Sequence, residues 1–186
     1  SLECYIGPEQ NLLSVTEKHA KRLFIENPII TFQDIDAIKN MDHYGFQTEV
    51  IDITFDVSSP SKENLEQTLD RVCQEVEGAI ENGSSFVVLS DRASDQNRAA
   101  MSSLLACGAV HHHLVNIAKR TQVGIIVETG EAREVHHHCL LLGYGADAIY
   151  PYLAYEAILT AKDERHLQHS HFHPGPENRI PLTDDH

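Results

Sequence analysis

No stretch of the 186 residues approaches the ~18 consecutive apolar positions that a membrane-spanning helix needs, so no span is expected. Basic residues are scarce. Lys plus Arg total 14 against 28 Asp plus Glu, a formal net charge of −14. A surface that acidic repels phosphate backbones and anionic lipid, which argues against nucleic-acid and membrane partners. Cysteine is sparse as well: Cys4, Cys73, Cys107 and Cys139 stand far apart, with no C-x-x-C pair. That spacing disfavours a zinc site and points to reduced, buried thiols in an intracellular protein. The G-x-G-x-x-G, P-loop and G-x-S-x-G patterns are all missing, which removes the commonest phosphate cradle and nucleophile elbow. The chain opens Ser1-Leu2-Glu3, with neither Met nor a signal or transit pattern, and reads as a segment of a longer polypeptide. Its length suits one domain or one domain plus a tail. The hydrophobic share of 41% is a little low for a globular chain but too high for disorder.

What is present is a repeated strand-then-helix phrase. Residues 1–44 precede it with two short helical patterns. The first runs from about Ser14 to Phe24 and stops at Asn27-Pro28, because the residue before a proline avoids the helical region. The second starts at Thr31, a natural N-cap with Asp34 three residues on, and carries Ile35 and Ile38 before Gly45. Val50, Ile51, Ile53 and Phe55 then read as a strand. A helix capped by Ser61 follows, with apolar positions from Leu65 to Ile80 and a stop at Asn82-Gly83. Phe86 to Leu89 is a second strand, and a polar stretch, 93–98, leads to a largely apolar helix from about Ala99 to Lys119. Val123 to Val127 is a third strand, followed by a helix from about Ala132 to Leu142. Ala148-Ile149-Tyr150 is a fourth strand, and a helix from Leu153 to Lys162 closes the series. Short continuous apolar strands alternating with helices indicate a parallel sheet. Eight such units close a barrel, so four make an open, partial barrel-like α/β sheet. From residue 163 the composition shifts to a His-rich, aperiodic tail. The expected organisation is therefore a domain over 1–162 and an irregular tail over 163–186.

Ligands gather at the C-terminal ends of parallel strands. Asp52, Asp91, Arg92 and Glu128 fall there. They could form an active site, or an ion-pair network that closes the sheet. The residue types alone favour the network, since either arrangement perturbs carboxylates. Two histidine triplets, 111–113 and 136–138, also stand out. Consecutive helical residues point about 100° apart, so one triplet cannot chelate one ion. A metal site would have to combine His111 with His136 or His137 and find a further ligand in Glu131 or Cys139. His111 shares a face with Leu104, Cys107, Leu114 and Val115, which suits a hydrogen-bonded core histidine better. Cys107 and Cys139 sit inside apolar helical patterns, where a thiol is usually inert.

Longer phrases carry a resemblance. Ser1-Leu2-Glu3-Cys4-Tyr5-Ile6-Gly7-Pro8-Glu9, Ile51-Asp52-Ile53-Thr54-Phe55 and Val88-Leu89-Ser90-Asp91-Arg92 are three of them. Gly108-Ala109-Val110-His111-His112-His113-Leu114 and Glu128-Thr129-Gly130-Glu131-Ala132-Arg133-Glu134-Val135-His136-His137 are two more. In order over about residues 1–160, the chain resembles the C-terminal half of the central domain of the glutamate synthase large subunit. The resemblance implies a multi-domain parent that makes two L-glutamates from L-glutamine and 2-oxoglutarate, with electrons from ferredoxin or NAD(P)H. It implies an amidotransferase domain and an FMN domain with an iron–sulfur cluster as neighbours on the same polypeptide. It places this segment between them as a structural domain of barrel-like topology, without cofactor, catalytic or metal residues of its own, helping to shape the ammonia path. Cys4 does not match the family's amidotransferase nucleophile. The implied location is the cytoplasm, or a plastid in a photosynthetic eukaryote. The alternatives are a self-contained small α/β enzyme built on Asp52, Asp91, Arg92 and Glu128, or a His-rich metal module. Exposed sheet edges lead us to expect self-association or marginal stability of the isolated segment.

FMN titrated into the isolated chain should show no saturable, stoichiometric fluorescence quenching, because neither a complete barrel nor a phosphate loop is encoded. Stoichiometric quenching would overturn that expectation.

Overall fold

Four parallel strands form the centre of the computed structural model, which describes residues 2–41, 45–58 and 65–163. They are β3 (Thr48–Asp52), β5 (Phe86–Ser90), β7 (Gly124–Glu128) and β8 (Ala148–Tyr150), and they lie in that order across the sheet. Each neighbour in space is the next such strand in sequence. Right-handed crossovers in a sheet without a reversal place all connecting helices on one face, as in a barrel wall and unlike a doubly wound sheet. The helices are α2 (Leu65–Glu81), α3 (Ser103–Asn116) and α4 (Val135–Gly143). As that winding requires, α2 packs on α3 and α3 on α4. The expected open α/β sheet is therefore what forms, and no closed barrel is present among the described residues.

Strand periodicity sorts the core into two faces. Ile51, Val87, Leu89, Ile125, Val127 and Ile149 pack on Val72 and Val76 of α2, Ala106, Val110 and Leu114 of α3, and Leu141 of α4. The opposite face carries Phe86, Val88, Ser90, Ile126, Glu128 and Tyr150, all buried. Among the described residues helix α1 (Phe32–Lys39) lies over it, packing on β3 and reaching Glu128. Ile29 bridges Ile149 in parallel at the β8 edge, where the Ile30 N–H donates to the Ile149 carbonyl at 2.9 Å. At the β3 edge the Thr48 hydroxyl donates to the Ile38 carbonyl at 2.8 Å. Between these anchors α1 buries Ile35 and Ile38. Its N-terminus has the expected capping box. The Thr31 hydroxyl oxygen accepts from the Asp34 N–H, and the Thr31 N–H donates to the Asp34 carboxylate.

Several boundaries differ from the expectation, each for a physical reason. The helix expected over Ser14 to Phe24 is a single 3₁₀ turn, Glu17–Ala20, followed by strand β2 (Leu23–Ile25). β2 pairs antiparallel with β1 (Cys4–Ile6). The His19 ring bonds the backbone of Asn11 and accepts from the Thr16 N–H, offering the chain local bonds that compete with a helix. The strand expected through Phe55 breaks at Ile53, where the Asp52 carboxylate accepts the Thr54 N–H at 2.8 Å. Beyond it, β4 (Thr54–Asp56) leaves the main sheet to pair with β6 (Arg98–Ala100), a three-residue strand hidden in a polar stretch. β6 takes up Ala99 and Ala100, so α3 starts later than expected. α3 ends early because Ala118 turns left-handed at φ 57°, letting the Lys119 N–H return to the Leu114 carbonyl at 2.8 Å. Only Cys107 is buried. Cys4 and Cys73 are half-buried and Cys139 is exposed, so the expectation of buried thiols fails for three of the four. The last helix, α5 (Tyr152–Asp163), runs across the boundary between two compact units, Ser1–Ala154 and Tyr155–His186. The second unit is described only over its helical stretch, 155–163. The Ser61 cap and the tail from 164 lie outside the described residues.

The inner face has one tight point. Phe86 fills the space over Gly124, where an added Cβ would stand 2.8 Å from the ring. Gly124→Ala should cost roughly 1–3 kcal/mol in urea unfolding through overpacking. Gly143→Ala, at a helix end with nothing within 4 Å, should be neutral or stabilising. Equal effects at the two sites would contradict this packing.

Candidate functional site

The C-terminal ends of β5, β7 and β8 bring the strand-end charges together around a buried carboxylate. Glu128 ends β7 and is 3% exposed. Its Oε2 accepts from Lys39 Nζ at 2.7 Å and from Ser90 Oγ at 2.6 Å, and its Oε1 faces Arg92 Nε at 3.5 Å. The Arg92 guanidinium lies 4.0 Å over the Tyr152 ring, close enough for a cation–π contact. The Tyr152 hydroxyl donates to Asp91 Oδ1 at 2.8 Å. Burial, and then the hydrogen bond and charge of Asp91, push the Tyr152 pKa upward, so it remains a donor. Asp91 is equally buried. It also accepts from Thr129 Oγ1 at 2.7 Å and from the Gly130 N–H at 3.0 Å. Two carboxylates thus leave the sheet side by side. Asp91 is held by neutral donors and Glu128 chiefly by a cation.

The structure brings Asp91, Arg92 and Glu128 into one network and gives Asp52 to another. Arg98 of β6 donates to Asp52 Oδ2 at 2.9 Å and to Thr54 Oγ1 at 2.7 Å, while Arg71 of α2 bonds the carbonyls of Asp52 and Thr54. These bonds hold the β3–β4 corner. Arg92 is 44% exposed, so the buried centre of the rim is Glu128 rather than the arginine. Sequence reasoning missed Lys39 and Tyr152. Lys39 was legible in principle, for it lies four residues after the buried Ile35 and so shares its helix face. Tyr152 gave no comparable signal.

Between α1 and the strand ends opens a cleft of about 460 Å³. Phe32, Ile35, Asp36 and Lys39 line one side. The other side is formed by Val50, Asp52, Ser90, Arg92, Glu128 and Tyr150. This wall can recognise charge. Its hydroxyl–carboxylate contact, Ser90 on Glu128, shares the carboxylate oxygen with the Lys39 ammonium, and a carboxylate so paired is a weak base.

The histidine triplets do different work. His111 Nδ1 accepts from Arg120 Nε at 3.0 Å. The same guanidinium bonds the carbonyls of Val123 and Gly145 and reaches Asp147 at 3.1 Å, tying together the N-terminal ends of β7 and β8. His113 Nε2 meets Glu77 at 2.7 Å, joining α3 to α2. His136 is exposed, and His137 Nδ1 accepts the Arg133 N–H at the start of α4. Among the described residues no three His, Cys, Asp or Glu side chains are placed to hold a metal. Glu131, weighed as a further ligand, instead caps α3, accepting from the Ser103 N–H and hydroxyl at 2.7 Å each. Burial pushes the Cys107 thiol up to about 12, which keeps it protonated and unreactive.

A family model described as the glutamate synthase central domain matches residues 1–180. The chain is 44% identical over 160 residues to the glutamate synthase (NADH) of Schizosaccharomyces pombe, an alignment covering 85% of this chain and 8% of that protein. It is 41% identical over 166 residues to the Saccharomyces cerevisiae glutamate synthase (NADH), covering 88% of this chain and 8% of that protein. It is 38% identical over 167 residues to the Bacillus subtilis glutamate synthase (NADPH) large chain, covering 90% and 11%. The chain therefore spans about a tenth of the length of these relatives.

His111 carries a pH prediction. Burial first, then Arg120 and His112, lower its pKa from the ordinary 6.5, with Asp147 opposing them. The unfolded chain then binds a proton at a pH where the folded chain does not, so acid favours unfolding. The wild type should lose stability as the pH falls below about 6.5, and His111→Gln, which keeps an acceptor but does not titrate, should lose less. Urea midpoints at pH 7.5 and pH 5 measure the difference, and identical losses would refute the assignment.

Proposed function

This chain belongs to the glutamate synthase family, as its central domain, and from that premise we propose that it serves as the structural, linking segment of an enzyme converting L-glutamine and 2-oxoglutarate to two L-glutamates. In this reading the parent is an oxidoreductase. FMN and an iron–sulfur cluster reside in other domains, and ferredoxin or NAD(P)H supplies the electrons. The amidotransferase and FMN domains of the same polypeptide are its partners, and this segment helps shape the ammonia path between them. It covers 1–162, with 163–186 as a tail. Two of the relatives are named as chloroplastic, so a plastid joins the cytoplasm as a candidate location. No helix among the described residues is long and apolar enough to cross a membrane.

The observation that carries the reading is the state of the strand-end charges. Within a match that spans most of the chain, Asp91 is held by three donors, Glu128 by Lys39 and Ser90, and Asp52 by Arg98. Such saturation suits a rim that stabilises a wall, where breaking a buried pair costs roughly 3–5 kcal/mol, better than one that moves protons. The self-contained-enzyme alternative would need those groups turned toward a substrate. Exposed Leu12, Leu13 and Val15 in the N-terminal segment suit contact with neighbouring domains, and self-association when these are absent.

The test exchanges residues 1–162 for the matching segment of the Schizosaccharomyces pombe enzyme. The chimera should retain glutamine-dependent glutamate formation, while this chain alone should form none. Glu128→Gln placed in the chimera's parent background should release more ammonia per glutamate formed. Turnover by the isolated chain, or strict coupling in a folded Glu128→Gln enzyme, would count against the proposal.

A further inference from the structure

The cleft under α1 presents both signs of charge on one short helical face. Asp36 and Lys39 lie three residues apart and therefore project together. An ammonium has three donors, and among the described residues Lys39 spends one, on Glu128. Asp36 Oδ1 accepts from Asn40 Nδ2 at 3.0 Å, and no hydrogen bond occupies its Oδ2 among the described residues. Arg92 and Asp52 repeat the pairing of signs on the facing wall. In a chain of net charge −14 this wall is close to balanced, two cations against nearby carboxylates. An anion alone would meet Asp36 and Glu128, and a cation alone would meet Lys39 and Arg92. A molecule with a carboxylate and an ammonium a few ångströms apart satisfies both. Phe32 and Val50, 62% and 46% exposed, add apolar surface beside the charges. Such a cavity, mostly apolar with a few convergent polar groups at parallel strand ends, is the usual form of a small-molecule site.

We propose that the cleft between α1 and the C-terminal ends of β3, β5 and β7 binds a free α-amino acid in its zwitterionic form, with a small apolar side chain. Its carboxylate lies toward Lys39, its ammonium toward Asp36, and its side chain against Phe32 and Val50. The proposal concerns this chain alone and does not depend on the parent enzyme's activity.

The experiment titrates the ¹⁵N-labelled chain with L-norvaline, with pentanoate, which lacks the ammonium, and with butylamine, which lacks the carboxylate. L-norvaline should give saturable shifts at the amides of Lys39, Ser90, Arg92 and Glu128, and each single-charge analogue should bind at least about tenfold more weakly. Lys39→Met should weaken binding by about tenfold or more. Because that change also removes the Glu128 partner, Val50→Trp gives an independent readout. It fills the cleft, leaves the ion pair intact and should weaken binding equally, while Glu66→Gln on the far exposed face of α2 should not. Absence of saturable shifts below about 50 mM, equal binding of the analogues, or unchanged binding by Val50→Trp would each overturn the proposal.

Discussion

A carboxylate buried at the end of a central strand constrains everything around it. Glu128 leaves water almost completely, and an ion so placed must be paired and hydrogen-bonded or its burial costs several kcal/mol. Lys39 and Ser90 meet that demand from two different elements. Ser90 is the register partner of Glu128 across the β5–β7 ladder, so the sheet alignment itself delivers the hydroxyl. Lys39 arrives only if α1 lies over the inner face with its C-terminal end toward β3. A lysine from the N-terminal segment is thereby coupled to a glutamate 89 residues later.

The winding explains why the inner face needs such a lid. A sheet wound in one direction receives all its crossover helices on one side, and a complete barrel closes over the other with its own strands. Four strands cannot close. The inner residues Phe86, Val88 and Ile126 would face water if nothing lay over them, and Ile35 and Ile38 of α1 bury part of that surface. The β8 edge is covered in the same economy of parts, by the pairing of Ile29 with Ile149. β3 ends the sheet on the other side among the described residues, and there Thr48 fastens the far end of α1.

Much of this architecture was legible because its signals are local. Apolar runs such as Phe86–Leu89 and the Thr31–Asp34 capping box fix their own elements, and both appear where the sequence places them. What was illegible depends on partners distant in the chain. Leu23 and Phe24 lie near helical spacing with Val15 and His19 but become part of a strand because Cys4–Ile6 is available to pair. Arg98–Ala100 looks like a helix approach until the β4 corner takes it up. At the rim, Asp91, Arg92 and Glu128 were identifiable from their positions after apolar strands. Asp52 follows the same rule yet belongs elsewhere, since Arg98 reaches it from a strand that the sequence hides. The histidine triplets follow helical geometry, which points consecutive residues apart: His111 meets Arg120, His113 meets Glu77 and His137 meets the start of α4.

The remaining question is why a charge occupies a place that a leucine could fill. Replacing a buried ion pair with well-packed apolar groups is often neutral or stabilising, so stability alone does not account for Glu128 and Lys39. An apolar contact between α1 and the inner face would tolerate sliding, since Ile35 and Ile38 could each pack against several positions. A carboxylate that is costly when unpaired permits one register, the one in which Lys39 stands over β7. That register places Asp36 and Lys39 on the cleft, opposite Arg92, whose guanidinium stacks on Tyr152 and faces Glu128. The same pair that seats α1 therefore determines which side chains the cleft displays, and an apolar substitute that preserved the fold would not preserve that wall.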